Sequence, residues 1–145
     1  MNPKARRIHL LVSLLAVAGM AVSSLSLYHH YGTSKTSYCD FGASFNCDMV
    51  NRSIYSVVAG IPVALIGLLG YLALLTLSTL YRTKAETPII LLLGSLGGLG
   101  FALYLTYIEK FVLAVWCILC LSSLSVIFLI AILASVLVTH SVRKL

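Results

Sequence analysis

The sequence predicts an all-α membrane protein, a bundle of four transmembrane helices with one short cysteine-containing loop outside the membrane. Of its 145 residues, 60% are hydrophobic and 10% are charged, and the mean hydropathy is +1.03. A soluble domain carries roughly 25% charged residues, so lipid must surround this chain. Four runs without Asp, Glu, Lys or Arg are each long enough to supply the ~20 residues of helix that cross a bilayer. They extend from Ile8 to Leu27, Ile54 to Leu80, Pro88 to Ile108 and Phe111 to Val138.

Each predicted span has its own boundary signals. The first is longer than the ~7–15 apolar residues of a signal-peptide core, so we expect it to be retained. The second contains Pro62 near its start, where proline is either tolerated or separates a short entry helix from the main span. Only Glu109 and Lys110 stand between the third and fourth spans, which predicts a tight hairpin at a membrane surface.

The rest of the chain leaves little room for other structure. Tyr28 to Ser53 is the one stretch that is long and polar enough to form a folded loop. We therefore expect residues 1–145 to form a single integral membrane domain. A cluster of glycines in the third span, Gly94, Gly97, Gly98 and Gly100, indicates close helix packing and not a phosphate-binding loop.

The basic residues predict the orientation. Lys and Arg near span ends are retained in the cytoplasm. Four spans place both termini and the connection Tyr81 to Thr87 on one face, which collects seven of the ten basic residues and one acid, while the opposite face is balanced. We therefore expect a protein of the cell (inner) membrane with cytoplasmic termini. The cations are spread among span ends, and this argues against a nucleic-acid interface.

All four cysteines are predicted on the extracytoplasmic side, which is the oxidising one. Cys117 and Cys120 are three residues apart, which on a helix means about 300° of rotation and ~4.5 Å of rise, so they lie side by side. Cys39 and Cys47 are separated by seven residues including a glycine, enough slack for disulfide geometry. This layout favours redox chemistry.

Two other interpretations of the cysteines stay open at this point. Both pairs could be permanent structural disulfides in a membrane scaffold without enzymatic activity. A zinc site is the third alternative, but the seven-residue gap exceeds the usual two to four between paired ligands, and zinc would need thiolates in an oxidising compartment. We therefore expect no metal.

Three motifs carry a resemblance to a known family. In order, spacing and topology, from about Ile8 to Val138, the chain resembles the vitamin K epoxide reductase family. Its members are four-helix membrane enzymes and include bacterial and archaeal disulfide-forming proteins, which this chain resembles most. The motifs are Cys39-Asp40-Phe41-Gly42 followed by Cys47, Gly60-Ile61-Pro62, and Cys117-Ile118-Leu119-Cys120.

The resemblance implies an electron relay. A reduced thioredoxin-like protein attacks the loop disulfide between Cys39 and Cys47, Cys47 passes the electrons to Cys117, and Cys120 faces a membrane quinone, ubiquinone or menaquinone. The activity is disulfide-bond formation. Because no thioredoxin-like domain is fused to this chain, we expect the donor to be a separate protein.

The same resemblance suggests residues for the quinone pocket. Ser56 stands near the place where family members put a polar side chain for the quinone carbonyl. Ile61, Val63 and Leu121 are aliphatic residues that can wall an apolar pocket. Leu124 occupies the position at which the animal enzymes have a tyrosine. That difference and a shorter loop argue against reduction of vitamin K epoxide itself, which remains an alternative.

Overall fold

The structure is a computed structural model that describes residues 2–31, 54, 57–114 and 118–144. Its architecture confirms the predicted all-α, four-helix membrane bundle. The elements in chain order are α1 (Pro3–Tyr31), β1 (Val57–Val58), β2 (Ile61–Pro62), α2 (Val63–Thr79), α3 (Thr87–Ile108), a π-helical turn (Glu109–Leu113) and α4 (Ile118–Arg143).

Three helices of the described chain are long and apolar enough to cross a membrane. These segments are Pro3–Tyr28, Thr87–Val112 and Ile118–Arg143, with 26 residues each. Helix α2 is also apolar but has 17 residues, which gives a length of roughly 25 Å and the lower end of the range for a span. It is therefore the shortest member of the bundle.

The second helix begins later than predicted. Helix α2 starts at Val63, not at Ile54, and the residues just before it form a small antiparallel hairpin in which Val58 pairs with Ile61. The turn consists of Ala59 and Gly60 with φ of 53° and 81°, and positive φ at both central residues is typical of a two-residue hairpin turn. Pro62 then ends the hairpin.

The connection between α3 and α4 also differs from the prediction. A tight hairpin at Glu109 and Lys110 is wrong, because α3 continues directly into the π-helical turn and the chain leaves it only at Ala114, whose φ is 54°. The fourth helix starts at Ile118 and not at Phe111. Glu109 consequently lies inside a continuous helical segment.

Neighbouring helices of the bundle pack tightly against one another everywhere except between α2 and α3. Helix α1 packs along α2 and α4, and α3 packs mainly along α4, whereas α2 and α3 touch much less. Tyr71 of α2 fits against Gly19 of α1, where any side chain would overlap its ring. Its hydroxyl donates to the Ser123 carbonyl of α4 over 2.9 Å. The looser contact between α2 and α3 is where a cavity opens.

Candidate functional site

A cavity of about 550 Å³ lies between the helices, with residues of all four in its wall. The wall is mostly apolar, and such a volume is typical of sites for small organic molecules, which measure ~300–1,000 Å³. A few polar side chains interrupt the apolar surface. Among the described residues these are Ser23, Ser26, Tyr71, Glu109, Cys120 and Ser123.

Glycines make much of this space. Gly67 and Gly70 of α2 and Gly94, Gly97 and Gly98 of α3 line the cavity. A Cβ atom on Gly98 would meet Ile127 at 3.2 Å, so this glycine does serve close packing as predicted. A Cβ atom on Gly70 or Gly97 would meet nothing within 4 Å. For Gly97 the packing interpretation is therefore wrong, and its missing side chain contributes open volume instead. It is also wrong for Gly100, where a Cβ atom would likewise meet nothing within 4 Å.

Of the four cysteines predicted to be catalytic, Cys120 is the one that lies within the described residues. It is the third residue of α4, half-buried, and it lines the cavity. Val63, the first residue of α2, lines the same cavity.

Three of the predicted quinone contacts are placed elsewhere. Ile61 belongs to strand β2, is 46% exposed and does not line the cavity, and neither do Leu121 and Leu124 of α4. The reason is the rotation of α4: with ~100° per residue, the face that lines the cavity beside Cys120 carries Leu119 and Ser123. Leu119 and Ser123, and not Leu121 and Leu124, therefore line the cavity next to Cys120.

Four predicted site residues lie outside the described residues: Cys39, Cys47, Ser56 and Cys117. Their roles, and the pairing of the loop cysteines, stay predictions. Among them Cys117 is three residues before Cys120 and directly before the first residue of α4, Ile118.

Glu109 is the residue that sequence analysis missed. It was expected at a membrane surface, but its side chain is 1% exposed and lines the cavity that contains Cys120. Its neighbour Lys110 is exposed, with its ammonium 5.2 Å from the centre of the Phe111 ring. An acidic residue at the end of a long apolar run could have signalled this, because an ionisable group within a membrane segment marks a functional site by default.

Tyr71 and Ser123 form a second polar element in the wall. The Tyr71 hydroxyl lies 2.8 Å from Ser123 Oγ and donates to the Ser123 carbonyl. No lysine, arginine or histidine lines the cavity within the described part of the chain. The arrangement suits an uncharged, mostly apolar molecule that offers a few oxygen atoms for hydrogen bonds.

A family model described as "Vitamin K epoxide reductase family" matches residues 10–135 of the chain. This protein belongs to the vitamin K epoxide reductase family. The match covers most of the chain, from α1 to α4, and includes the positions of all four cysteines. A search among curated proteins gave no match. This family consists in general of quinone-linked thiol oxidoreductases, and membership together with the apolar helices makes the chain a membrane oxidoreductase.

Proposed function

We propose that this protein is a disulfide-forming quinone oxidoreductase of the prokaryotic type. Electrons pass from a reduced, separate thioredoxin-like protein through Cys39 and Cys47 to Cys117 and Cys120, and then to a membrane quinone, ubiquinone or menaquinone. The observation that carries the proposal is the position of Cys120 in the wall of an apolar cavity of about 550 Å³, in a member of this family.

The residues of the cavity fit a quinone. The ring and its isoprenoid tail are apolar, as is most of the wall, and the glycines of α2 and α3 leave flat space for a ring. The two ring oxygens accept hydrogen bonds, and the wall offers hydroxyl and carboxyl groups at Ser23, Ser26, Glu109 and Ser123. The quinone, when bound, supplies a two-electron acceptor.

The chemistry on the protein side balances. As the thiols of Cys117 and Cys120 join in a disulfide, their two S–H bonds break, one S–S bond forms, and two electrons and two protons leave. The acceptor takes up both to become the quinol. Partner thiols then reduce the Cys39–Cys47 disulfide to two thiols. These thiols reduce the Cys117–Cys120 disulfide by thiol–disulfide exchange and return to the Cys39–Cys47 disulfide.

Glu109 is placed to handle one of these protons. Helix α3 runs toward Glu109, and α4 returns from Ile118, so the carboxyl and the Cys120 sulfur lie at the same end of the bundle and line one cavity. A carboxyl oxygen of Glu109 can accept a proton released at the thiols and pass it to the acceptor. We assign Glu109 this role as part of the proposed function.

We also propose an orientation of the chain in the membrane. Both termini lie in the cytoplasm, and the cysteines lie on the extracytoplasmic side, where disulfides persist. The whole chain forms one integral membrane domain. The charge distribution along the sequence supports this orientation, with seven of the ten basic residues at the termini and the connection between α2 and α3.

The proposed function is tested by quinone reduction in the purified full chain with a small dithiol as electron donor. We expect Cys120→Ala to abolish turnover. Ser122→Ala is the matched control, because Ser122 lies on α4 two residues away, is exposed, and bonds only the Ile118 carbonyl of its own helix. Undiminished turnover in Cys120→Ala would refute the assignment. A wild-type protein that reduces no quinone would favour a scaffold with structural disulfides.

A further inference from the structure

A second, smaller cavity lies at the opposite end of the bundle from Cys120. Its volume is about 280 Å³, and it lies where the N-terminus of α1, the connection between α2 and α3, and the C-terminus of α4 meet. We call it the basic cavity. Its polar lining residues are Asn2, His9, Arg82, Thr83, His140, Ser141 and Lys144.

The basic cavity concentrates positive charge. Arg82 and Lys144 carry cationic side chains, and no acidic residue of the described chain lines the cavity. Of the two described acids, Glu109 lines the large cavity at the other end, and Glu86 does not line this one. Cations that share a concave surface repel one another, and an anion between them removes that repulsion.

The basic residues of this cavity are arranged differently from the ordinary excess of Lys and Arg at span ends. Its members come from three segments that are far apart in the sequence, and the fold gathers them around one concavity. Other basic residues of the same segments stay outside. Lys84 lies with its ammonium 5.9 Å above the Tyr81 ring, and Arg143 precedes Lys144 but does not line the cavity.

The floor of the basic cavity holds a buried imidazole in a fixed state. His9 is 3% exposed, and the Ser78 hydroxyl donates its one hydrogen to the His9 carbonyl over 2.8 Å. Ser78 Oγ can therefore only accept from His9 Nδ1, which is 3.3 Å away. Nδ1 therefore carries the proton, and Nε2 of the neutral imidazole is an acceptor only. Ala5, Pro88 and Leu137 form the apolar part of the lining.

We propose that the basic cavity binds a phosphate group through Arg82 and Lys144. The two cations contact phosphate oxygens. The volume equals about nine water molecules at ~30 Å³ each, which admits a phosphate with a small substituent but no acyl chain. The site lies at the ends of membrane-spanning helices, the level at which lipid headgroups carry their phosphates. A bound phosphate bridges the connection between α2 and α3 and the C-terminus of α4, and so stabilises the bundle.

The experiment uses the full chain in nanodiscs of phosphatidylcholine, with or without phosphatidylglycerol. Thermal unfolding gives the midpoint, and native mass spectrometry gives the phosphatidylglycerol that stays bound. The cavity variant is Arg82→Gln with Lys144→Gln. The matched control is Lys84→Gln with Arg143→Gln, which removes the same charge from the same two segments outside the cavity.

We expect phosphatidylglycerol to raise the midpoint of the wild type and of the control variant. The cavity variant should bind it at least about tenfold more weakly. A further arm adds inorganic phosphate to phosphatidylcholine nanodiscs. If phosphate alone raises the midpoint, and does so only when Arg82 and Lys144 are present, the source is free phosphate and the site stands.

Two results would overturn the proposal. One is equal loss of phosphatidylglycerol in both variants, which indicates diffuse attraction at the membrane surface. The other is a wild type whose midpoint responds neither to phosphatidylglycerol nor to phosphate. This comparison needs no variant, so a variant that fails to fold does not remove the test.

Discussion

Gly97 and Gly100 provide a matched pair that tests whether the large cavity receives the quinone. Both glycines lie on α3, and a Cβ atom on either would meet nothing within 4 Å. Gly97 lines the cavity, and Gly100 does not. Replacing either with leucine makes the same change in intrinsic helix preference, because leucine forms helices better than glycine. The two variants therefore differ only in where the new side chain goes.

The size of the effect follows from the volumes. If ~30 Å³ is taken as the space of one heavy atom, the four side-chain carbons of leucine need about 120 Å³. That is roughly a fifth of the 550 Å³ cavity. A quinone ring that must shift, or that loses contacts because of this lost volume, should bind at least about tenfold more weakly, which corresponds to ~1.4 kcal/mol of binding free energy. We expect Gly97→Leu to raise KM for the quinone accordingly and Gly100→Leu to leave it unchanged.

The assay is the initial rate of quinone reduction at saturating dithiol across a range of quinone concentrations. Circular dichroism and the unfolding midpoint report whether each variant keeps the wild-type fold. If both variants are folded and share the wild-type kcat/KM, the acceptor does not occupy the glycine-lined space, and our account of the cavity is wrong. Equal losses in both variants would also contradict it.

Three further predictions concern the entry of electrons, the proton and the packing of the bundle. Cys39→Ser should stop oxidation of a thioredoxin-like protein but leave quinone reduction by small dithiols; persistent protein oxidation would show that the loop is not the entry point. Glu109→Gln should slow quinone reduction at least about tenfold, and it should remove a carboxyl signal from the infrared difference spectrum on quinone addition, whereas Glu86→Gln should do neither. Gly19→Ala should lower the free energy of unfolding by about 1–3 kcal/mol, because its methyl group overlaps the Tyr71 ring; an unchanged unfolding midpoint would contradict the packing.

Hydropathy was enough to predict the four-helix bundle. The roles of the cysteines, and of the cavity that Cys120 lines, stay predictions. The length of an apolar run indicates a helix regardless of its neighbours, which is why all four helices were found. The sequence predicted the helix boundaries less accurately. Proline was recognised as a possible break, but the hairpin before α2 depends on positive φ at Ala59 and Gly60, and only the glycine signals that conformation.

Hydropathy alone does not predict features that depend on the rotation of a helix or on the depth of a side chain. Leu121 and Leu124 are close to Cys120 along the chain, yet the rotation of α4 turns Leu119 and Ser123 toward the cavity instead. Glu109 beside a lysine suggested a solvated pair at the surface. A π-helical turn continues α3 beyond this residue and encloses its carboxyl, and hydropathy carries no signal for such a turn.

The central claim is that Cys120 delivers electrons to a quinone in the large cavity, and a single turnover without oxygen tests it most directly. The reduced chain carrying Cys39→Ser and Cys47→Ser, whose loop cannot reduce the newly formed disulfide, is mixed with one equivalent of quinone, quenched with an alkylating reagent, and analysed by mass spectrometry. We predict one quinol per chain, formed together with a Cys117–Cys120 disulfide that blocks alkylation of both sulfurs. Quinol that forms while the Cys120 thiol still reacts with the reagent would contradict the account.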